Sequence, residues 1–285
     1  MDSRKCAIAL GLFDGVHKGH KAVLDGAIKS GYKSVAVTFS TIPFKSGGSL
    51  MTNQDREKKL LEYGIEEVLF LDFFEIKDYS PDAFLEFLLK KYNIGKICCG
   101  FNYRFGKKAA GDTEFLDKWC KAKNIEFFEC PEVKINGNTV SSTYIKELIS
   151  QGKIKEAKLL LDEDFYFTAN VKNGEKRGRT MGFPTINQLY PEGLTKPKFG
   201  VYQTVVTIDG KRYDGVTNIG VRPTFITDYI SAETYILGFD RFCYGEEVKV
   251  SLIEFLREEK KFSNKEELIK AIKENAEYVE KNSRI

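Results

Sequence analysis

The chain has 285 residues, 42% of them hydrophobic and 30% charged, which is typical of a globular protein and not of a disordered one. Its length allows one large domain or two modest ones. The 44 basic and 41 acidic residues are well mixed, so no broad positive field indicates a nucleic-acid partner, and no apolar run is long enough to span a bilayer.

The amino terminus leads directly into an apolar strand pattern, without the apolar region and cleavage site of a signal peptide. A cytoplasmic location is therefore expected. The six cysteines form no CxxC pair and have no metal-site spacing with histidine. We expect them to be buried and reduced.

The first half of the chain alternates short apolar runs with amphipathic stretches. Strands are predicted at residues 5–10, 34–39, 67–73, 96–100 and 125–130. Helices are predicted between them at residues 19–29, 54–63, 81–92 and 113–123. This alternation predicts a parallel sheet with helices on both faces.

The second half has a different pattern. Residues 141–161 contain two more helical stretches, with Gly152 between them as a C-cap. From about Asp164 to Phe255 the chain is β-branched and aromatic, which predicts an antiparallel barrel or sandwich. Within it, Asp209-Gly210 predicts a hairpin with a type I′ turn. Apolar residues at helical spacing over 264–282 predict one closing helix.

Residues 11–20, with the sequence GLFDGVHKGH, follow the first predicted strand and open the first helix. Ligands bind at such positions of α/β sheets, where glycines allow a close approach and the helix offers free N–H groups. His17 and His20 are the only histidines, and their spacing places both near one face as donors to phosphate oxygens. The alternative is a pair of surface histidines or a weak metal site.

This motif resembles the HxGH signature of the nucleotidyltransferase superfamily, in the form found in bacterial FAD synthetases. The resemblance implies that His17 and His20 are catalytic and that Gly11, Phe13 and Gly15 bind ATP. Residues 99–106 (CGFNYRFG) resemble the family's flavin-side segment, which implies that Asn102 and Phe105 bind flavin. By their alternation alone, the aromatic residues of that segment are equally consistent with a strand core.

Residues 140–146 (VSSTYIK) resemble the family's second phosphate-binding helix start. ATP contacts are implied there for Ser141, Ser142, Thr143 and Lys146. Without the resemblance, the serines would simply suit a helix N-cap. Lys146 stands where the family has arginine, and residues 38–43 (TFSTIP) keep only part of a family loop. A lysine offers a single ammonium and not a planar fork, but it still carries charge to the phosphates. Both departures are therefore expected to slow adenylylation without abolishing it.

Residues 174–187 (GEKRGRTMGFPTIN) combine glycines, basic residues and a rigid Pro-Thr-x-Asn. This composition suits a loop that surrounds a polyphosphate and supplies oxygen ligands to Mg²⁺. The alternative is a cationic hairpin loop without a ligand. Residues 174–187 resemble the riboflavin kinase signature, which implies ATP binding by Gly178, Arg179 and Gly182. The same resemblance makes Thr185 and Asn187 the Mg²⁺ ligands.

Further kinase motifs follow in the order of that family: residues 215–225, 232–237 and 255–262. The resemblance implies that Glu233 is the general base and that Asn218, Arg222 and Arg257 contact flavin. A surface charge is the alternative for Arg257. Tyr235 replaces the histidine that usually follows the base.

The resemblance covers nearly the whole chain and predicts an α/β plus β protein. A Rossmann-like FMN adenylyltransferase domain is expected over residues 1–162, and a β-barrel riboflavin kinase domain with a terminal helix over 163–285. The expected partners are riboflavin, FMN, FAD and ATP, with Mg²⁺ at each site. Two alternatives are an enzyme in which only the kinase is efficient and a flavin carrier that has lost catalysis. No oligomeric state is predicted.

Overall fold

The computed structural model describes residues 4–40, 47–172, 182–222 and 229–285. The chain divides into two compact units, Met1–Tyr144 and Ile145–Ile285. In the described part of the chain, no helix combines the length and the apolar character that crossing a bilayer requires.

Unit 1 is built around a parallel sheet of five strands in the order β3-β2-β1-β4-β5. The strands are β1 (Cys6–Leu10), β2 (Lys33–Phe39), β3 (Glu67–Leu71), β4 (Ile94–Gly100) and β5 (Glu126–Cys130). The helices are α1 (Lys18–Ile28), α2 (Asn53–Tyr63), α3 (Phe73–Ile76), α4 (Pro81–Lys91) and α5 (Thr113–Ala122). A 3₁₀ turn (Lys107–Ala109) and a small hairpin of β6 (Lys134–Ile135) and β7 (Asn138–Thr139) complete the unit.

Alternate residues of β1 enter two separate apolar clusters, one on each face of the sheet. Ile8 and Leu10 belong to the cluster that contains residues of α4 and α5, whereas Ala7 and Ala9 belong to the one with residues of α1 and α2. Strand β1 is covered on both faces and is therefore wholly buried. A strand in this position has a continuous apolar sequence, because neither face meets water. The strand order reverses between β1 and β4, so the loops after these strands open a crevice at the sheet's carboxyl edge.

Helix α6 (Ser142–Ser150) begins at the end of unit 1 and continues into unit 2. Unit 2 is a closed antiparallel barrel in the order β10-β11-β12-β9-β8-β13. Its strands are β8 (Tyr166–Lys172), β9 (Thr185–Leu189), β10 (Gly200–Ile208), β11 (Lys211–Arg222), β12 (Tyr229–Ile236) and β13 (Glu247–Arg257). Helix α7 (Ile154–Leu161) precedes the barrel, and α8 (Lys265–Lys281) follows it.

The fold class predicted from the sequence is confirmed, with a barrel and not a sandwich in unit 2. The hairpin between β10 and β11 turns at Asp209 (φ 49°) and Gly210 (φ 74°), both left-handed as a type I′ turn requires. The strand predicted at 67–73 is two residues too long. The Asp72 side chain accepts a hydrogen bond from the Phe74 N–H (2.8 Å) and starts α3 there.

Candidate active sites

The loop between β1 and α1 is held in an unusual backbone conformation. Phe13 (φ 48°), Gly15 (φ 90°) and Val16 (φ 42°) all adopt positive φ, which is strained for a β-branched residue. Phe13 and Val16 are fully buried, so core packing holds the loop in place. A Cβ on Gly11 would lie 2.9 Å from the Phe13 ring, so this position requires glycine.

His17 and His20 stand side by side at the start of α1. His17 is the N-cap, and its Nδ1 accepts a hydrogen bond from the His20 N–H (3.2 Å). Because Nδ1 is an acceptor, a neutral His17 carries its proton on Nε2. The two rings are stacked with centroids 3.6 Å apart, and His17 is only 4% exposed. The histidine pair can therefore present N–H donors to one small volume.

A cavity of about 380 Å³ lies at the crevice between the loops after β1 and β4. Residues named from the sequence that line it are Gly11, Phe13, His17, His20, Asn102, Ser141, Ser142 and Thr143. Gly15 lies in the same loop, where its positive φ shapes the turn. Lys146 is a buried residue of α6 and belongs to unit 2.

Ser141 and Ser142 make hydrogen bonds within unit 1. The Ser141 Oγ accepts from the Tyr144 N–H (3.2 Å), so it caps α6 as any N-cap serine would. The Ser142 Oγ donates to the carbonyl oxygen of Asp14 (2.9 Å) and thereby ties the start of α6 to the histidine loop. The Asp14 carboxylate is buried and accepts from the Leu50 N–H (2.7 Å).

Phe105 does not line the histidine cavity. It is buried in the core, with its ring centroid 5.7 Å from that of Phe84 and 5.6 Å from that of Tyr103. It lines a second cavity of about 370 Å³, rich in aromatic side chains. The two cavities have three lining residues in common, which are Phe39, Tyr103 and Arg104. Phe105 is therefore both a core residue and part of a cavity wall, and its contact with flavin stays a prediction.

In unit 2, the pairing of strands aligns five pocket residues in one row. Asn187 on β9 pairs with Glu233 on β12, and Glu233 pairs with Asn218 on β11. Asn218 pairs with Val201 on β10, which pairs with Arg257 on β13. Directly paired residues point to the same face of a sheet. All five line a cavity of about 350 Å³, and we call this set the five-strand row.

The five-strand row lies on the outer face of the barrel. Neighbouring positions face the interior, where the hydroxyl groups of Thr204, Thr217 and Thr234 form a buried chain of hydrogen bonds, each 2.9 Å long. Thr185, two residues before Asn187 on β9, shares its face and lines the same cavity. Leu268 and Ile272 of α8 form the opposite wall.

Charged side chains cluster in this barrel cavity. Glu233 and Arg222 both line this cavity and form an ion pair with each other. Asn218 donates to a carboxylate oxygen of Glu259 (3.0 Å). Partial burial lowers the pKa of the Arg257 guanidinium, whose Cζ lies 5.7 Å from the Phe262 ring centroid.

The glycine-rich ATP segment of unit 2 is only partly described. Gly178 and Arg179 lie outside the described residues. Gly182 is exposed and has a positive φ of 83°. In the described ranges, no group of three or more His, Cys, Asp or Glu side chains is arranged to hold a metal ion.

Two residues near these sites were missed by the sequence reasoning. Arg56 is buried beneath the histidine loop, although it lies in a strongly polar helix that reads as solvent-exposed. Glu259 lines the barrel cavity and lies in a run of five consecutive charged residues, 257–261. Periodicity carries no signal for either residue, because both depend on contacts distant in sequence.

Unit 1 is a doubly wound sheet with a glycine and histidine loop at its switch point, and unit 2 is a barrel with a carboxylate in its cavity. This combination is typical of an enzyme that transfers phosphoryl or nucleotidyl groups. The FAD synthetase family model matches residues 1–144, and the riboflavin kinase family model matches residues 161–283. The chain belongs to the family of bifunctional riboflavin kinase/FMN adenylyltransferases.

Curated relatives match over almost the whole chain. The bifunctional riboflavin kinase/FMN adenylyltransferase of Listeria monocytogenes is 34% identical, over 92% of this chain and 87% of the relative. The protein of the same name from Bacillus subtilis is 29% identical, over 96% and 91%. The family predicted from the motifs is therefore confirmed. The enzyme phosphorylates riboflavin to FMN and adenylylates FMN to FAD, with ATP as co-substrate.

A solved structure from Streptococcus pneumoniae, named as a macrolide-efflux protein, has a similar fold. Its TM-score is 0.90 and its sequence identity 29%, and the match covers all of this chain and 96% of the other. The name of the Streptococcus protein applies to that protein alone. The function of this chain follows from the family matches.

Proposed function

We propose that each of the two reactions belongs to one domain, with adenylylation of FMN in residues 1–162 and phosphorylation of riboflavin in residues 163–285. One observation carries this proposal: most of the described residues named for the two reactions line two separate cavities. One of them is bounded only by residues of unit 1 and the other only by residues of unit 2. The positions of the two family-model matches agree with this division.

In unit 1, a phosphate oxygen of FMN attacks the α-phosphorus of ATP, and pyrophosphate leaves as the new P–O bond forms. His17 and His20 donate hydrogen bonds to the oxygens on which charge builds up in the transition state. The stacked geometry of the two rings supports this role, because both reach the same small volume. Gly11, Phe13 and Gly15 shape the backbone around the ATP phosphates, at the positive end of α1.

The two adjoining cavities of unit 1 offer separate places for the phosphates and for the flavin ring. We place the phosphates in the histidine cavity and the flavin ring in the aromatic cavity, with Asn102 at the first and Phe105 on the wall of the second. Ser141, Ser142 and Thr143 lie at the start of α6, where free N–H groups favour phosphate. A role for Lys146 at the ATP phosphates remains a prediction from the resemblance.

In unit 2, Glu233 removes the proton from the terminal ribityl hydroxyl, whose oxygen attacks the γ-phosphorus of ATP as ADP leaves. The ion pair with Arg222 orients the Glu233 carboxylate, and the hydroxyl takes the place of Arg222 at one carboxylate oxygen. Arg222 is then available to the flavin or to the phosphate. Asn218 and Arg257, in the same row as Glu233, are the proposed flavin contacts.

Thr185 and Asn187 are the proposed ligands for Mg²⁺. Both have hard oxygen donors on one face of β9, and Asn187 is paired with Glu233. A site with two protein oxygens suits Mg²⁺, which usually keeps water and substrate phosphates as its other ligands. Bound Mg²⁺ supplies neutralisation of charge on the phosphoryl group in transfer. ATP binding by Gly178, Arg179 and Gly182 remains a prediction.

The division of labour is tested with two single variants of the full chain. Glu233→Gln should abolish FMN formation from riboflavin and leave FMN conversion to FAD intact, whereas His20→Asn should do the reverse. The products are separated by chromatography after incubation with Mg²⁺ and ATP, starting from riboflavin or from FMN. If either variant loses both reactions while remaining folded, or loses neither, the assignment is wrong.

Three further expectations remain proposals. They are a cytoplasmic location, the absence of a nucleic-acid partner and a requirement for Mg²⁺ rather than another divalent ion. The metal requirement can be checked by removing divalent ions with EDTA and then restoring Mg²⁺ or Mn²⁺ separately.

A further inference from the structure

Arg56 is a buried arginine in the first turn of α2, only 3% exposed. Its Nη1 donates to the carbonyl oxygen of Leu12 (2.9 Å), and its Nη2 donates to that of Phe39 (2.5 Å) and to Oδ1 of Asn53 (2.6 Å). Burial lowers the pKa of the guanidinium, and the charge of Asp14 opposes this effect. A buried charge is retained only where its hydrogen bonds compensate the loss of hydration.

The carbonyl partners of Arg56 belong to two segments that border the proposed adenylylation site. Leu12 lies in the histidine loop and lines the histidine cavity. Phe39 ends β2, and its side chain lines both the histidine cavity and the aromatic cavity. Arg56 therefore joins the wall proposed for the ATP phosphates to the wall proposed for the flavin ring.

The Leu12 carbonyl oxygen has a second donor, the hydroxyl of Thr38 (2.9 Å). Both lone pairs of this oxygen are thus engaged, and the orientation of the Leu12–Phe13 peptide is fixed. In a trans peptide the N–H points opposite to the C=O, so the Phe13 N–H is directed away from Arg56. This peptide opens the strained turn that precedes His17.

We propose that Arg56 is a positioning residue for FMN adenylylation, which holds the histidine loop and the end of β2 in the arrangement that brings ATP and FMN together. This inference rests on the proposed location of adenylylation in unit 1. Arg56 acts through the two carbonyl oxygens and does not take part in the chemistry. A misplacement of about 1 Å in such a loop lowers turnover by about a hundredfold.

The test compares Arg56→Met and Arg56→Lys with Lys58→Met, a matched control on the exposed side of the same helix, where Lys58 lies 3.9 Å from Glu62. Arg56→Met should lower kcat for FAD formation about 10- to 100-fold at saturating FMN and ATP. Arg56→Lys should have an intermediate effect, because one ammonium cannot replace the planar fork. Lys58→Met should match the wild type.

Two measurements on the same preparations separate positioning from a loss of folded protein. The riboflavin kinase rate of the single variants should stay within about twofold of the wild type. The number of FMN-binding sites per chain, measured by calorimetry, should equal that of the wild type. If kcat per binding site is unchanged in Arg56→Met, the proposal is wrong.

A second pair of variants keeps the proposal falsifiable if Arg56→Met does not fold. Thr38→Val removes the other donor to the Leu12 oxygen. The fold-decrease in kcat for FAD formation in the double variant, Thr38→Val with Arg56→Lys, should therefore exceed the product of the fold-decreases in the two single variants. A loss equal to that product would contradict a shared action on Leu12.

The histidine variant distinguishes the two proposals. If His20→Asn retains FAD formation, the location of the site is wrong, and the role of Arg56 in it is wrong as well. If His20→Asn loses FAD formation while the Arg56 variants keep their kcat per site, only the role of Arg56 is wrong.

Discussion

At the scale of single residues, Gly19 leaves space for the ring of His17. A Cβ at this position would lie 3.1 Å from the Val140 carbonyl oxygen and 3.2 Å from Cε1 of His17, so the ring would have to move. Alanine is favoured over glycine within a helix by about 1 kcal/mol, which offsets some of the crowding. We expect Gly19→Ala to lower FAD formation from FMN about tenfold, with little change in stability.

The check is an FMN adenylylation assay beside a thermal unfolding curve. The riboflavin kinase reaction of the same sample is the internal control and should be unchanged. Wild-type adenylylation by a folded Gly19→Ala protein would show that the His17 ring need not occupy its observed position.

Gly220 has a similar role in the barrel cavity. It shares a face of β11 with Asn218 and Arg222, and a Cβ there would overlap the carboxylate of Glu259. Glu259 is exposed at the end of a flexible side chain, so it can move without destabilising the barrel. In Gly220→Ala the displaced Glu259 would lose its hydrogen bond with Asn218, which is a proposed flavin contact. We therefore expect this variant to raise the KM for riboflavin several-fold and to keep its unfolding temperature.

Steady-state kinase kinetics over a range of riboflavin concentrations test this expectation. Gly210→Ala provides a contrast, since its φ of 74° lies in a turn with open space around it. That variant should lose about 1 kcal/mol of stability and keep its KM. The reverse pattern would contradict the role given to Gly220.

Single residues also show where sequence reasoning ends. His17 and His20 could be placed together from a spacing of three, because a helix brings such positions onto one face. The contact between Arg222 and Glu233 could not, since it depends on the pairing of β11 with β12. The burial of Arg56 could not be predicted for the same reason, because its partners are carbonyl oxygens 17 and 44 positions away in the sequence.

At the scale of elements, α8 forms a wall of the barrel cavity and depends on its N-cap. The Asn264 side chain accepts from the Glu267 N–H (2.8 Å), and Glu267 accepts in return from the Ser263 N–H (3.2 Å). Loss of such a cap costs about 1 kcal/mol. We expect Asn264→Ala to fray the first turn, expose Leu268 and weaken riboflavin binding, because Leu268 lines the cavity.

Binding of riboflavin to the full chain, measured by calorimetry, provides the check. Asn264→Asp retains a capping oxygen and should bind as the wild type does, which makes it the matched control. Equal affinity of the alanine variant and the wild type would mean that the first turn of α8 is not part of the binding wall.

The elements themselves were largely predictable, for identifiable reasons. Strand β1 is a continuous apolar run because both of its faces are covered, and α8 has apolar residues at helical spacing. The packing of α8 was less predictable. Only Val279 of its apolar set is buried, while Leu268 and Ile272 remain partly exposed at the cavity. An apolar helical face therefore did not distinguish a core helix from a cavity wall.

At the scale of the whole molecule, the six cysteines are alike in their burial. All six are described by the structure, and each is a buried thiol outside any disulfide. Burial raises the pKa of Cys98 and of Cys120 to about 12, and it also raises the pKa of Cys99, Cys130 and Cys243. The thiolate is the reactive species, and a raised pKa leaves the thiols protonated at about pH 8. We expect fewer than one thiol per chain to react quickly with DTNB in the native enzyme.

In guanidinium chloride the same reagent should count all six thiols, which is the internal standard for the measurement. The kinase and adenylyltransferase activities should both survive incubation of the native protein with the reagent. Rapid native labelling of one full equivalent would show that a cysteine side chain is more accessible than the structure indicates.

The two-unit organisation was readable in the sequence because the pattern changes from alternating strands and helices to β-branched runs. The predicted boundary after residue 162 remains a prediction. Two helices, α6 and α7, lie near it and carry no pattern that assigns them to one unit or the other.

The five-strand row has a consequence for how the length of this chain can vary. Side chains alternate strictly along a strand, so one residue inserted into β12 before Glu233 would turn the carboxylate into the barrel interior among the threonine hydroxyls. The same holds for Asn187 and Asn218, whose strands pair without a register shift. Insertions and deletions in β9, β11 and β12 that are compatible with kinase activity must therefore come in pairs, and single ones are restricted to the connections between these strands.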